Sequence, residues 1–214
     1  MTEDVLFHDL FQSFIGQTIG GKKLYDTITE ISKSSEAPYD SAVEDDINEI
    51  FSMDAFSLQA NRIINSTNGN IKRHSSVDGF YYLKKESKIL LFFIEFKRIH
   101  RYPGNNYSNL LKNEIKPSLM LKSLESLNCV LPHLISQNCS DENTVKLLDM
   151  IHKSTKYYIC VINNPNVSNA NAHNIVTSDY MDLKRLEPYP FKNVLPMSNK
   201  KFEEFFQRLI DESN

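Results

Sequence analysis

The chain has 214 residues, 41% of them hydrophobic, and a formal net charge of -3, a composition that supports a buried core and does not suggest overall disorder. Its longest wholly apolar run, Ile89 to Ile94, is too short to span a bilayer, and the acidic start Met1-Thr2-Glu3-Asp4 lacks the basic region of a signal peptide. A cytoplasmic protein without a membrane segment is therefore expected, and the unpaired spacing of Cys129, Cys139 and Cys160 points to free thiols rather than a disulfide framework or zinc knuckle.

In chain order, Val5 to Ile15 carries apolar residues at helical spacing and breaks at Gly16 and again at Gly20-Gly21. A second short helix is predicted over Leu24 to Ser32, then a loop around Pro38. Asp40 or Ser41 offers an N-cap for a helix running towards Ile64, and Ser41 with Glu44 fits a capping box. A turn at Asn65 to Asn70 precedes strands at Ile71 to Ser75, Asp78 to Leu83 and Ile89 to Lys97. A helix is predicted between Tyr107 and Leu127, with Pro117 a point of interruption, and another over Asn143 to His152. Lys156 to Ile162 reads as a strand, Asn163 to Pro190 as an Asn-rich loop region, and Lys200 to Ile210 as an amphipathic helix. This order divides a single domain into an N-terminal helical extension (1-38), a core (39-162) and a loop-rich segment with a C-terminal helix (163-214).

The chemistry concentrates in one hairpin. Asp78-Gly79-Phe80 and Glu95-Phe96-Lys97 stand at opposite ends of two apolar runs joined by Lys84-Lys85-Glu86-Ser87. Strand alternation puts Glu95 and Lys97 on one face, and hairpin pairing brings Asp78 beside them. Two carboxylates suffice to hold Mg2+ or Mn2+ together with a substrate phosphate, and an amine beside them can orient water or stabilise a charged phosphorane. Glu95 lies inside the most apolar strand of the chain, where an ionised side chain needs a partner. A purely structural Glu95–Lys97 ion pair is the competing reading, and it leaves Asp78 unexplained.

These residues resemble the PD-(D/E)xK nuclease superfamily: Val77-Asp78-Gly79 stands for the first half-motif, with Val77 in place of proline, and Glu95-Phe96-Lys97 matches the second in full. The resemblance covers residues 40 to 162. It implies an α/β, restriction-endonuclease-like core, a central mixed β-sheet flanked by helices in the order α-β-β-β-α-β, with extra helices at both ends. It also implies a Mg2+-dependent or Mn2+-dependent nuclease acting on DNA, with Asp78 and Glu95 as ligands and Lys97 positioning water. Family members often add a glutamate from the helix before the strands. Glu44 is the choice here, because Ile47 and Phe51 would place it on the inward face of that helix, while capping is its structural alternative. The helix after the strands often presents a basic residue to phosphate in this family, and Lys116 is the choice among Lys112, Lys116 and Lys122.

Charge is unevenly spread. Residues 1 to 54 hold three basic against twelve acidic side chains, whereas residues 71 to 122 hold eleven against four. Lys72, Arg73, Arg98 and Arg101 are therefore candidate phosphate contacts beside Lys116, and the acidic N-terminal region could serve a protein partner. Cleavage of both strands by this fold commonly uses a homodimer. A non-catalytic nuclease-fold module for binding or assembly is the alternative function.

Overall fold

The computed structural model of the chain describes residues 2–33, 41–58, 75–86, 88–98, 111–163 and 169–212, without the side chains of 169–173. Its centre is a mixed sheet of six strands. A small hairpin precedes the sheet, β1 (Thr18–Ile19) with β2 (Lys22–Lys23). Its two-residue turn is Gly20-Gly21, both at positive φ, a backbone that glycine adopts without steric penalty.

β3 (Tyr25–Thr27), β4 (Glu49–Ser52), β5 (Gly79–Lys85) and β6 (Lys88–Arg98) pair antiparallel in succession. β7 (Thr155–Asn163) then joins β6 in parallel, and β8 (Asn193–Ser198) joins β7 in parallel. β6 is apolar on both faces because both are covered. Leu91 and Phe93 pack with Phe7, Phe11, Leu119 and Tyr158 in one core cluster. Phe92, Ile94 and Phe96 pack with Phe202 and Phe206 in the other. The C-terminal helix Asn199–Asp211 supplies that second cover through Phe202, Phe206 and Leu209, and Ser198 caps it by accepting from the Lys201 N–H.

Several expectations are met closely. Helices occupy Glu3–Gln12, Asp141–Lys153 and Asn199–Asp211, and the β5–β6 hairpin and β7 fall where periodicity placed them. All three cysteines are free, with Cys160 buried. Among the described residues no helix is long and apolar enough to cross a membrane.

Others are corrected. The helix expected from Asp40 or Ser41 towards Ile64 is not formed over 41–52: residues 41–48 are irregular, β4 follows, and helix begins only at 53–58. Asp45 explains the break. Its Oδ1 accepts from the Ile47 and Asn48 N–H groups and its Oδ2 from the Asn48 amide, local bonds that compete with a helical ladder. Ile47 is consequently 88% exposed instead of facing inward. Leu24 to Ser32 is β3 followed by one helical turn, Ile28–Ile31, capped by Thr27. The region 163–190 holds a helix at Asn169–Asp179 and a 3-10 helix at Met181–Leu186, anchored by buried Val176, Tyr180, Leu183 and Leu186. The sheet thus takes strands from both sides of residues 39–162.

The helix after β6 runs without a break from Leu111 to Asn138. Pro117 and Pro132 do not interrupt it, because each lies just past a π-helical turn, Leu111–Ile115 and Ser126–Val130, where the widened ladder accommodates a residue with no N–H. The expected turn at Asn65 to Asn70 and residues 71–74 of the expected first strand lie outside the described residues, and Ser75 is not in a strand.

Candidate active site

The hairpin register places the two carboxylates opposite one another. Gly79 pairs with Ile94, so Asp78, one residue earlier, meets Glu95, one residue later. Asp78 Oδ2 accepts the Phe96 N–H at 2.7 Å, which fixes its carboxylate to the strand that carries Glu95. Glu95 is fully buried, on the same face of the sheet as Phe93, Cys160 and Ile162. Its Oε1 accepts from Lys122 Nζ at 2.8 Å and lies 3.2 Å from Lys97 Nζ. Lys122 Nζ also stands 3.9 Å from Asp78 Oδ1. Among the described residues, Glu95 Oε2 is buried with no hydrogen-bond partner.

The electrostatics follow from that packing. Burial, and next the Glu95 charge, hold the Asp78 carboxyl well above the usual carboxylate range. Burial works against the Lys122 ammonium, but Glu95 and Asp78 outweigh it and raise its pKa. Cys160 pairs across from Glu95 in β7, and its thiol is raised by burial and then by Glu95, which keeps it a neutral wall rather than a nucleophile.

The helix behind the site also holds the approach to Asp78. Ser126 Oγ accepts the Val77 N–H at 2.8 Å and Glu125 Oε2 accepts the Ser75 N–H at 2.5 Å. Lys122 and Ser126 are four residues apart, so one helix face both pairs the carboxylates and positions the strand entry. Ser126→Ala leaves the buried Val77 N–H without its acceptor. The expected loss is about 1–3 kcal/mol, seen as a lower urea midpoint at unchanged m-value; an unchanged midpoint would show that the clamp contributes nothing.

Glu44 is not part of this constellation. It is exposed on the irregular segment 41–48, whose Ala42 and Val43 pack in the core cluster on the other face of the sheet, and its charge acts on Glu203 of the C-terminal helix. The carboxylate that does approach is Asp54, absent from the sequence reading. It is the second residue of the helical stretch 53–58, directly after Met53, whose N–H donates to the Asp78 carbonyl. Asp54 accepts from Ser76 at 3.4 Å, pairs with Lys22 at 3.6 Å, and its charge reaches Lys122. Among the described residues, no group of three or more His, Cys, Asp or Glu side chains is disposed to hold a metal ion.

Of the candidate phosphate contacts, Lys116 pairs with Asp182 at 3.0 Å, away from the carboxylates that its helix neighbour Lys122 reaches. Arg98 ends β6 on the face opposite Glu95 and Lys97. Lys72, Arg73 and Arg101 lie outside the described residues. Part of the N-terminal acidity is met locally, Asp4 by Lys84, Asp26 by Lys23 and Glu30 by Lys33.

Comparison of the chain with protein-family models, with curated proteins and with solved structures finds no match.

Proposed function

We propose that this chain is a metal-dependent nuclease that hydrolyses phosphodiester bonds in DNA, with a restriction-endonuclease-like version of its mixed α/β sheet. The observation that carries the reading is the Oε2 of a fully buried Glu95, without a hydrogen-bond partner among the described residues and set beside Asp78. An orphaned carboxylate oxygen inside a protein is costly, and a hard divalent cation is the partner that a carboxylate pair accepts best. Asp78 and Glu95 would hold Mg2+ or Mn2+. When bound there, the cation neutralises phosphate charge and acidifies water.

This chain's own groups supply the rest. Lys97 is 34% exposed, so its ammonium can reach from Glu95 towards solvent and orient an attacking water or the charged phosphate. The Phe96 N–H keeps the Asp78 carboxylate aimed at the pair. Phe93, Cys160 and Ile162 form an apolar floor that excludes water from behind Glu95. Asp54, at the rim, adds negative charge on the side of Lys122.

The test is incubation of the whole chain with single-stranded DNA, double-stranded DNA and RNA, with MgCl2 or MnCl2, beside Asp78→Asn, Glu95→Gln and Lys97→Met. DNA cleavage by wild type is expected, with the first two variants inactive and Lys97→Met slower by about 100-fold or more. If nothing is cut, or all four proteins cut equally, the reading fails. A non-catalytic module is the second reading, and the Lys122 ammonium favours it, since that cation already answers both carboxylates.

A further inference from the structure

The cation between the two acids is a side chain of this protein. Lys122 Nζ lies 2.8 Å from Glu95 Oε1 and 3.9 Å from Asp78 Oδ1, and it is the cation among the described ion pairs that reaches both carboxylates. Lys97 pairs with Glu95 from the same strand. We propose that Lys122 is a resident counter-ion that competes with a divalent metal for the Asp78–Glu95 pair, so that metal enters only as the lysine side chain leaves. This rests on the proposed metal site.

Geometry makes the two occupants exclusive. Mg2+ sits about 2.0–2.1 Å from each carboxylate oxygen, and an ammonium already hydrogen-bonded to Oε1 and facing Oδ1 occupies the space between the acids. Two cations there would also repel one another across a buried site. The lysine has a way out. Its side chain is 21% exposed, its stem carries four rotatable carbons, and an ammonium is readily rehydrated. The backbone that bears it stays put, since Ser126, one turn along, remains bonded to the Val77 N–H. Displacement is therefore a side-chain movement. Once out, the same amine is a solvated cation that a substrate phosphate can take up.

The experiment is calorimetric titration of MgCl2 and MnCl2 into the whole wild-type chain and into Lys122→Met, which keeps the stem and removes the charge. Lys122→Met is expected to bind metal about tenfold tighter or more, the factor that applies when a site is free only one-tenth of the time. Equal or weaker binding by a folded Lys122→Met overturns the proposal, and metal binding by wild type in that case leaves the nuclease reading standing. Metal binding by the variant alone supports the proposal. Binding by neither folded protein overturns both. If Lys122→Met does not fold, NMR of the wild-type chain decides: the Lys122 ε-methylene signal is expected to move towards that of a solvated lysine as MgCl2 is added, and an unmoved signal at metal saturation overturns the proposal.

Discussion

The double variant Lys97→Met, Lys122→Met is expected to lose about 3–5 kcal/mol of stability, because it strips both cations from a fully buried carboxylate. Each single variant is expected to lose much less than half of that. Lys122 at 2.8 Å still answers Glu95 when Lys97 is gone, and Lys97 at 3.2 Å still answers it when Lys122 is gone. The strong non-additivity is the signature of two cations sharing one anion. Two additions sharpen the expectation. Glu95→Leu in the double-variant background should restore most of the stability, since an apolar side chain in that core needs no counter-charge. Saturating MgCl2 should restore part of it in the double variant with Glu95 intact, by binding the folded state alone. Urea denaturation of the series reads all of this. Additive, small losses would mean that these two lysines do not hold Glu95 between them.

What was legible beforehand divides along the range of the interactions. The β5–β6 hairpin is local: two apolar runs, a polar turn and a charged residue stranded in a hydrophobic strand all lie within twenty-odd positions, and together they locate Asp78, Glu95 and Lys97. β4 left no such trace. It is four residues long, and Ile50, Phe51 and Ser52 are buried in succession, which is neither strand alternation nor a helical stripe. The helix read across it placed Glu44 inward, whereas the Asp45 side chain closes a turn that carries Glu44 to the far face of the sheet. β8 was hidden by Pro196, which is tolerated because an edge strand has one neighbour to satisfy rather than two.

Lys122 and Asp54 show the other limit. Which helical lysine meets the acids depends on how a helix seats against the sheet, and that seating is fixed by Ser126 and Glu125 reaching the backbone of residues 75 and 77, some fifty positions away. Nothing in the spacing of Lys112, Lys116 and Lys122 distinguishes them. Asp54 likewise depends on β4 delivering the start of a helix beside the Asp78 carbonyl.

Asp78 gives the chain a pH dependence opposite in sign to that of an ordinary paired carboxylate. Its folded value is raised, first by burial and then by Glu95, above the 3.8 of an unperturbed aspartate. Between those two values the native state keeps a proton that the unfolded chain has released. The Asp78 contribution is thus fully present below the unfolded value and is lost as pH rises through the folded one, by up to about 1.4 kcal/mol per pH unit. Asp78→Asn should abolish this slope and be the more stable protein at neutral pH. Glu95→Gln should narrow the pH range over which this slope runs without abolishing it, because burial is the larger cause and survives the substitution. Urea midpoints of the three proteins from acid to mildly alkaline pH provide the measurement, and parallel curves for wild type and Asp78→Asn would refute the coupling. The same proton links stability to metal. The proposed divalent cation would require Asp78 to release that proton, so stabilisation by a fixed MgCl2 concentration should grow with rising pH in wild type and stay small in Asp78→Asn. A cation bound as proposed would then offset the cost of holding the half-buried Asp78 against the buried Glu95.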